Sequence, residues 1–332
     1  MKLTNENKLL IKKKNFYSFL IFVSGFIFSY LYMMHTKDKF FPDQIFYYNL
    51  FDKLKNKTFD QSFDHYKSSV ASLEIFHFFY IFISLNLGLT KEIAMSFANA
   101  ILVYFISKSI FKFIKPSLIS SFFILSNHYT LNLFFVLERF KFSIIFLFVL
   151  LYFYKKNYIK IAAFFLSVLS HFSLLILYLI YFFNRIKITN LKNINPNTFI
   201  FKKNNIILII VIIILTFIYL LFEEHFQIKF NRFLKNFELK IYLINVLKML
   251  TFFILIAFVN NKSLPKEVFY TYIYFILIEL AFLDTRIVFF SFLYFLYYIL
   301  SCYNLTRRNF VLFIFFTYSC AVSLKDFFFI LY

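Results

Sequence analysis

Continuous apolar runs, separated by short polar and basic breaks, constrain this chain more tightly than any motif in it. The runs cover residues 16–34, 70–89, 93–111, 117–136, 139–154, 161–183, 205–222, 241–259, 268–283, 287–301 and 309–324. None alternates polar with apolar residues, so the backbone groups must be satisfied inside helices, not across a barrel wall. A membrane span needs roughly 17–25 residues, so several runs are short, and 117–154 can be divided elsewhere. All four prolines (Pro42, Pro116, Pro196, Pro265) fall between runs, where they interrupt no helix. With 61% hydrophobic residues, against about half in a soluble domain, the expectation is an all-α, polytopic transmembrane helical bundle. It would have about 10–11 membrane segments and form a single integral membrane domain over residues 1–332.

The net charge of +20 would point to nucleic acid in a soluble protein. Here the lysines and arginines sit in short clusters between apolar runs, as cytoplasmic anchors do, so no nucleic-acid partner is expected. Lys12–Lys13–Lys14 before the first run puts the N-terminus inside, and no small-residue cleavage site follows. The polar stretch at about 35–69 then becomes an outer-face loop, long enough to be an active-site element. Clusters at Lys112/Lys115, Lys155/Lys156/Lys160 and 185–203 all ask to be inside, yet one span at 161–183 separates the last two. The run at 70–89 raises the same parity problem, and one or both are expected to be re-entrant or to cross as two short helices. The 58 Phe, two Gly and absent Trp reflect compositional bias, so single phenylalanines carry no functional weight.

No Gly-rich phosphate loop, metal-ligand spacing or GxSxG elbow is present, so neither nucleotide nor metal is expected, and no cofactor. Cys302 and Cys320 have no redox or metal spacing and read as inert. The stretch from Asn127 to Phe183 nevertheless places Glu138, Arg139, Lys141 and His171 in apolar surroundings. Such groups cost about 2.5–3.5 kcal/mol at a helix centre on insertion scales and persist where they face a bundle interior or a wet cavity. Arg139 and Arg286 stand out because guanidinium grips phosphate with paired, permanently charged donors. The plainer reading of Arg139 is a helix-end residue paired with Glu138. His171 has Ser167 and Ser170 nearby for a local network. Glu74 and His77 share a helix face at i, i+3, and Asp43 and Tyr47 are spaced i, i+4. Glu279, deep in its run, reads equally as a partner for a neighbouring helix.

Asp43-x-x-x-Tyr47 after the first span, Glu74, Arg139 opening a span that ends in Lys155–Lys156, His171 with Ser173, and Arg286 opening RIVFFSFLYFLYY together resemble the EpsG family of Wzy-type polysaccharide polymerases. The resemblance covers roughly residues 35–185 best, and the C-terminal half mainly at Arg286. Phe140–Lys141 stands where the family has a small polar residue and an Ala-rich helix. The resemblance implies a GT-C-like, multi-pass glycosyltransferase of the cytoplasmic membrane. It would polymerise polyprenyl-diphosphate-linked oligosaccharide repeat units at the outer face, into capsule, O-antigen or exopolysaccharide, with membrane lipid, a flippase and a chain-length regulator as partners. Arg139 and Arg286 would bind diphosphate, and Asp43, Glu74 or His171 would be the general base. A lipid-linked oligosaccharide flippase, with the arginines as a sugar-phosphate track, is the competing reading.

Overall fold

The computed structural model describes residues 5–36, 42–70, 74–113, 124, 127–153, 155–171, 173–185, 239–260, 265–282, 286–301 and 305–331. The run at 205–222 and most of the basic stretch at 185–203 lie outside them. Among the described residues the chain is all-α, with no strand. The helices are α1 (Asn5–Thr36), α2 (Pro42–Leu54), α3 (Phe59–Val70), α4 (Ile75–Asn86), α5 (Lys91–Phe113), α6 (His128–Phe135) and α7 (Glu138–Tyr152). After these come α8 (Asn157–Ser170), α9 (Ser173–Arg185), α10 (Leu239–Val259), α11 (Lys266–Phe282), α12 (Arg286–Ser301) and α13 (Leu305–Leu331). They fall into two compact units, Met1–Leu174 with Ile299–Tyr332, and Leu175–Tyr298.

In the first unit α1 packs along α5, and α5 packs on α7, which packs on α8. The α1–α5 approach is close because small residues line it. A Cβ on Gly25 would lie 3.4 Å from Val103, and the Asn99 amide donates to Ser29 Oγ at 2.6 Å across the same contact. Small residues with an interhelical hydrogen bond are how helices associate where apolar burial alone cannot drive them together.

The expected outer loop is itself helical. α2 and α3 form a hairpin whose turn uses Asn56 at φ 62°, a left-handed conformation that asparagine tolerates. Leu50, Phe51, Leu54 and Tyr66 pack it onto Phe78 and Ile81 of α4. α4 then ends in a Schellman turn, with Leu89 N–H donating to Ser84 C=O, Gly88 N–H donating to Leu85 C=O, and Gly88 at φ 69°. That turn delivers Lys91 at the start of α5.

Both problem runs are interrupted. Residues 161–183 form parts of α8 and α9, broken at His171, whose backbone is extended (φ −163°, ψ 118°). The helix in 70–89 spans only Ile75–Asn86. Among the described residues one helical stretch, Phe16–His35, is long and apolar enough to cross a membrane; Ile75–Asn86, Asn157–Ser170, Leu243–Val259 and Arg286–Ser301 are apolar but shorter.

In the second unit α10 packs on α11, and the Asn245 amide donates to Glu279 Oε1 at 2.7 Å. Glu279 thus pairs with a neighbouring helix, one of the two roles its position allowed. α10 is apolar on two opposite faces. Met249, Phe252, Ile256 and Val259 are buried, while Leu243, Leu247, Leu250, Ile254 and Phe258 are exposed. α8 exposes Ile161, Phe165 and Leu169 in the same way. A surface helix in water carries polar residues on its outer face, and these do not.

Candidate functional site

The charged side chains of the first unit converge where helices begin or break. Glu74 occupies the N-cap position of α4 but makes no capping bond, so its carboxylate is available to other groups. α6 ends at Phe135, and the N–H groups of Val136 and Leu137 both turn back to Asn132 C=O. The chain restarts as α7 with Glu138 and Arg139 in its first turn, where the helix dipole favours the acid. Lys141 Nζ donates to Phe134 C=O at 2.6 Å, closing a carbonyl that the end of α6 leaves open.

Two carboxylates organise the cluster. Glu74 Oε2 lies 2.7 Å from Arg139 Nη1, and Glu74 Oε1 lies 3.2 Å from His171 Nε2. Arg139 Nε also donates to Tyr47 Oη at 2.7 Å. Burial pushes the Tyr47 phenol up to about 12, the neighbouring guanidinium opposing the shift, so the hydroxyl keeps its proton while accepting from Arg139. His171 Nδ1 accepts the Ser173 N–H at 3.2 Å. The proton of the neutral imidazole therefore sits on Nε2, facing Glu74. The helix break at His171 makes this possible, because Ser173 opens α9 and its N–H has no helical partner.

Glu138 is the second node. Lys91 Nζ lies 3.0 Å from its Oε1, and His77 Nε2 lies 3.9 Å from its Oε2. Lys91 also donates to Gln44 Oε1 at 3.0 Å and sits 3.8 Å over the Tyr48 ring. His77 Nδ1 lies 2.9 Å from Tyr66 Oη, whose phenol burial raises well above its ordinary range. The Tyr66 hydroxyl also donates to the Glu74 carbonyl at 3.4 Å, and His77 Nε2 faces Glu138 as His171 Nε2 faces Glu74.

Exposure separates the members. The Arg139 side chain is 21% exposed, whereas those of Glu74, His77, Lys91, Glu138 and His171 are 3% or less. An incoming group meets the guanidinium first. Three helix starts (α4, α5 and α7) contribute to the same cluster, and their partial positive charge favours an anion there.

Of the sequence candidates, Glu74, Arg139 and His171 come together, with Tyr47 and His77. Arg139 pairs with Glu74, not with its neighbour Glu138. Ser167 and Ser170 cap carbonyls of their own helix, at Phe164 and Leu166. Asp43 lies in the first turn of α2, one turn before Tyr47, and its side chain lies outside the described residues. Arg286 opens α12 in the other unit and is half-buried. Sequence reasoning missed Lys91, Gln44 and Tyr66. Compared with known proteins, the chain matches no family model, no curated protein and no solved structure.

Proposed function

We propose that the chain is a polytopic, GT-C-like membrane glycosyltransferase that joins oligosaccharide repeat units carried on polyprenyl diphosphate at the outer face of the cytoplasmic membrane. The observation that carries this reading is Arg139. It is a guanidinium held by a carboxylate and a phenol, partly exposed at the edge of an otherwise buried ionic cluster. A diphosphate leaving group is already activated, so the reaction needs a fixed cation and a base more than it needs a nucleotide site. The acceptor hydroxyl would attack the anomeric carbon, and the bond to diphosphate would break with its electron pair leaving on phosphate. Arg286 would hold a second diphosphate, and Asp43 remains a candidate base beside Glu74 and His171. The outward apolar stripes of α8 and α10 support a lipid surround and several crossings. The 15 residues of α7 rise about 22 Å, which separates Arg139 from Lys155 and Lys156 by most of a bilayer core.

That topology has a direct test. In a background lacking Cys302 and Cys320, cysteine at the exposed Ser69 is expected to label from outside, and cysteine at the exposed Asn157 only after the membrane is opened. Labelling of both from one side sinks it. The chemistry has another. Arg139→Lys keeps the charge but loses the paired donors, so it is expected to accumulate normally and to lower turnover by about tenfold or more, read as shortened surface polymer. Wild-type chain lengths would leave Arg139 as an anchor at the membrane surface.

A further inference from the structure

Glu74 faces two groups, the Arg139 guanidinium 2.7 Å from Oε2 and the His171 imidazole 3.2 Å from Oε1, and the two differ in reach. His171 is fixed by the Ser173 N–H and 2% exposed; Arg139 is 21% exposed and the only charged member of the cluster that an anion can meet without rearrangement. We propose that Arg139 is a removable mask on Glu74, and that Glu74 is the base. The inference rests on the diphosphate-linked reading above. A diphosphate takes the guanidinium, and the Arg139–Glu74 pair parts. Glu74 stays oriented through Oε1 by His171 Nε2–H, with Oε2 open. The acceptor O–H then gives its proton to Oε2, and its oxygen bonds to the donor's anomeric carbon. The bond from that carbon to the diphosphate breaks, and the electron pair leaves on the diphosphate held by Arg139. Protonated Glu74 cannot recapture Arg139 as an ion pair, so the mask returns only once that proton is lost. The base is silent until the leaving group is in place, which imposes an order of binding. His171 is a positioning residue in this scheme, since its Nδ1 is committed to backbone and its Nε2 already carries a proton.

The two partners of one ion pair should therefore shift anion affinity in opposite directions. The full-length protein, purified in detergent, is titrated with farnesyl diphosphate as a probe. Glu74→Gln is expected to bind about fivefold to tenfold more tightly than wild type, roughly 1–1.4 kcal/mol, and to make no polymer. Arg139→Ala is expected to bind at least about tenfold more weakly. His171→Ala is expected to lower kcat with little change in probe affinity. Glu74→Asp retains the acid at an N-cap position that favours aspartate but draws it back from the guanidinium. It should bind more tightly than wild type and retain some turnover, and it decides the question if Glu74→Gln is not monodisperse. Equal or weaker binding by these Glu74 variants overturns the mask and leaves Glu74 as a strut for Arg139. Failure of the wild-type protein to bind the probe at all would instead remove the diphosphate reading itself.

Discussion

Lys91→Met should cost about 3–5 kcal/mol, enough to deplete the protein from the membrane, because it strands Glu138 as a buried charge without its cation. Glu138 and Lys91 are both 2% exposed and 3.0 Å apart, so water cannot replace the lost partner. His77 stays at 3.9 Å, too far for a strong hydrogen bond, and the Lys141 ammonium, which acts on Glu138 at longer range, is committed to the Phe134 carbonyl. Adding Glu138→Gln should restore accumulation, since an amide can still face His77 and brings no charge to compensate. The measurement is thermal stability of the solubilised protein for the two single variants and the double, a cycle that isolates the pair. A Lys91→Met protein that melts with wild type would show that the pair contributes nothing. If the double variant were no better than Lys91→Met, the loss would belong to the Gln44 and Tyr48 contacts of Lys91.

The residues legible in the sequence were those whose chemistry conflicted with their surroundings. Arg139, Glu138 and His171 stand in long apolar stretches, and Glu74 and His77 open one; burial of a charge demands a partner wherever the chain goes. Their pairing was not legible. Glu138 and Arg139 are adjacent, yet in the first turn of one helix they project to different sides, one towards Lys91 on α5 and the other towards Glu74 before α4. Lys91 was hidden by its type. It follows the Schellman turn at Gly88 and reads as one more basic residue flanking a span, among 36 lysines and arginines. Its burial at the Glu138 node depends on a contact 47 residues away in sequence. Tyr66 was hidden likewise among 25 tyrosines.

The helical class followed from the apolar runs, but the helix boundaries did not. The breaks at Val136–Leu137 and at His171 carry no proline or glycine, so no local propensity announces them. Both are places where side chains satisfy what the backbone loses: Lys141 takes the Phe134 carbonyl, and His171 takes the Ser173 N–H. A sequence signal for the second exists only in retrospect, in the Ser170-His171-x-Ser173 spacing. The buried ionic side chains thus cluster where the helices are interrupted, because there buried polar groups and unsatisfied backbone meet.

The polymerase and flippase readings part on what accumulates when Arg139 is removed. Arg139→Ala deprives Glu74 of its cation and any diphosphate of its guanidinium. Polymer should fall by about 10²-fold or more, the scale of losing one preorganised charge-stabilising donor. A polymerase defect leaves repeat units free to cross the membrane, so surface glycans capped by a single unit, or lipid-linked single units exposed outside, are expected. A flippase defect traps those units on the cytoplasmic face. The polar layout favours the first outcome. In the first unit the ionic cluster sits at the Glu138 end of α7, whereas Phe142, Ile144, Ile145 and Leu147 along that helix are buried and apolar. A transport path would need polar groups continuing towards Lys155 and Lys156, and α7 presents none between Ser143 and Tyr152. Accumulation of lipid-linked units solely inside would hand the chain to the transport reading despite that layout.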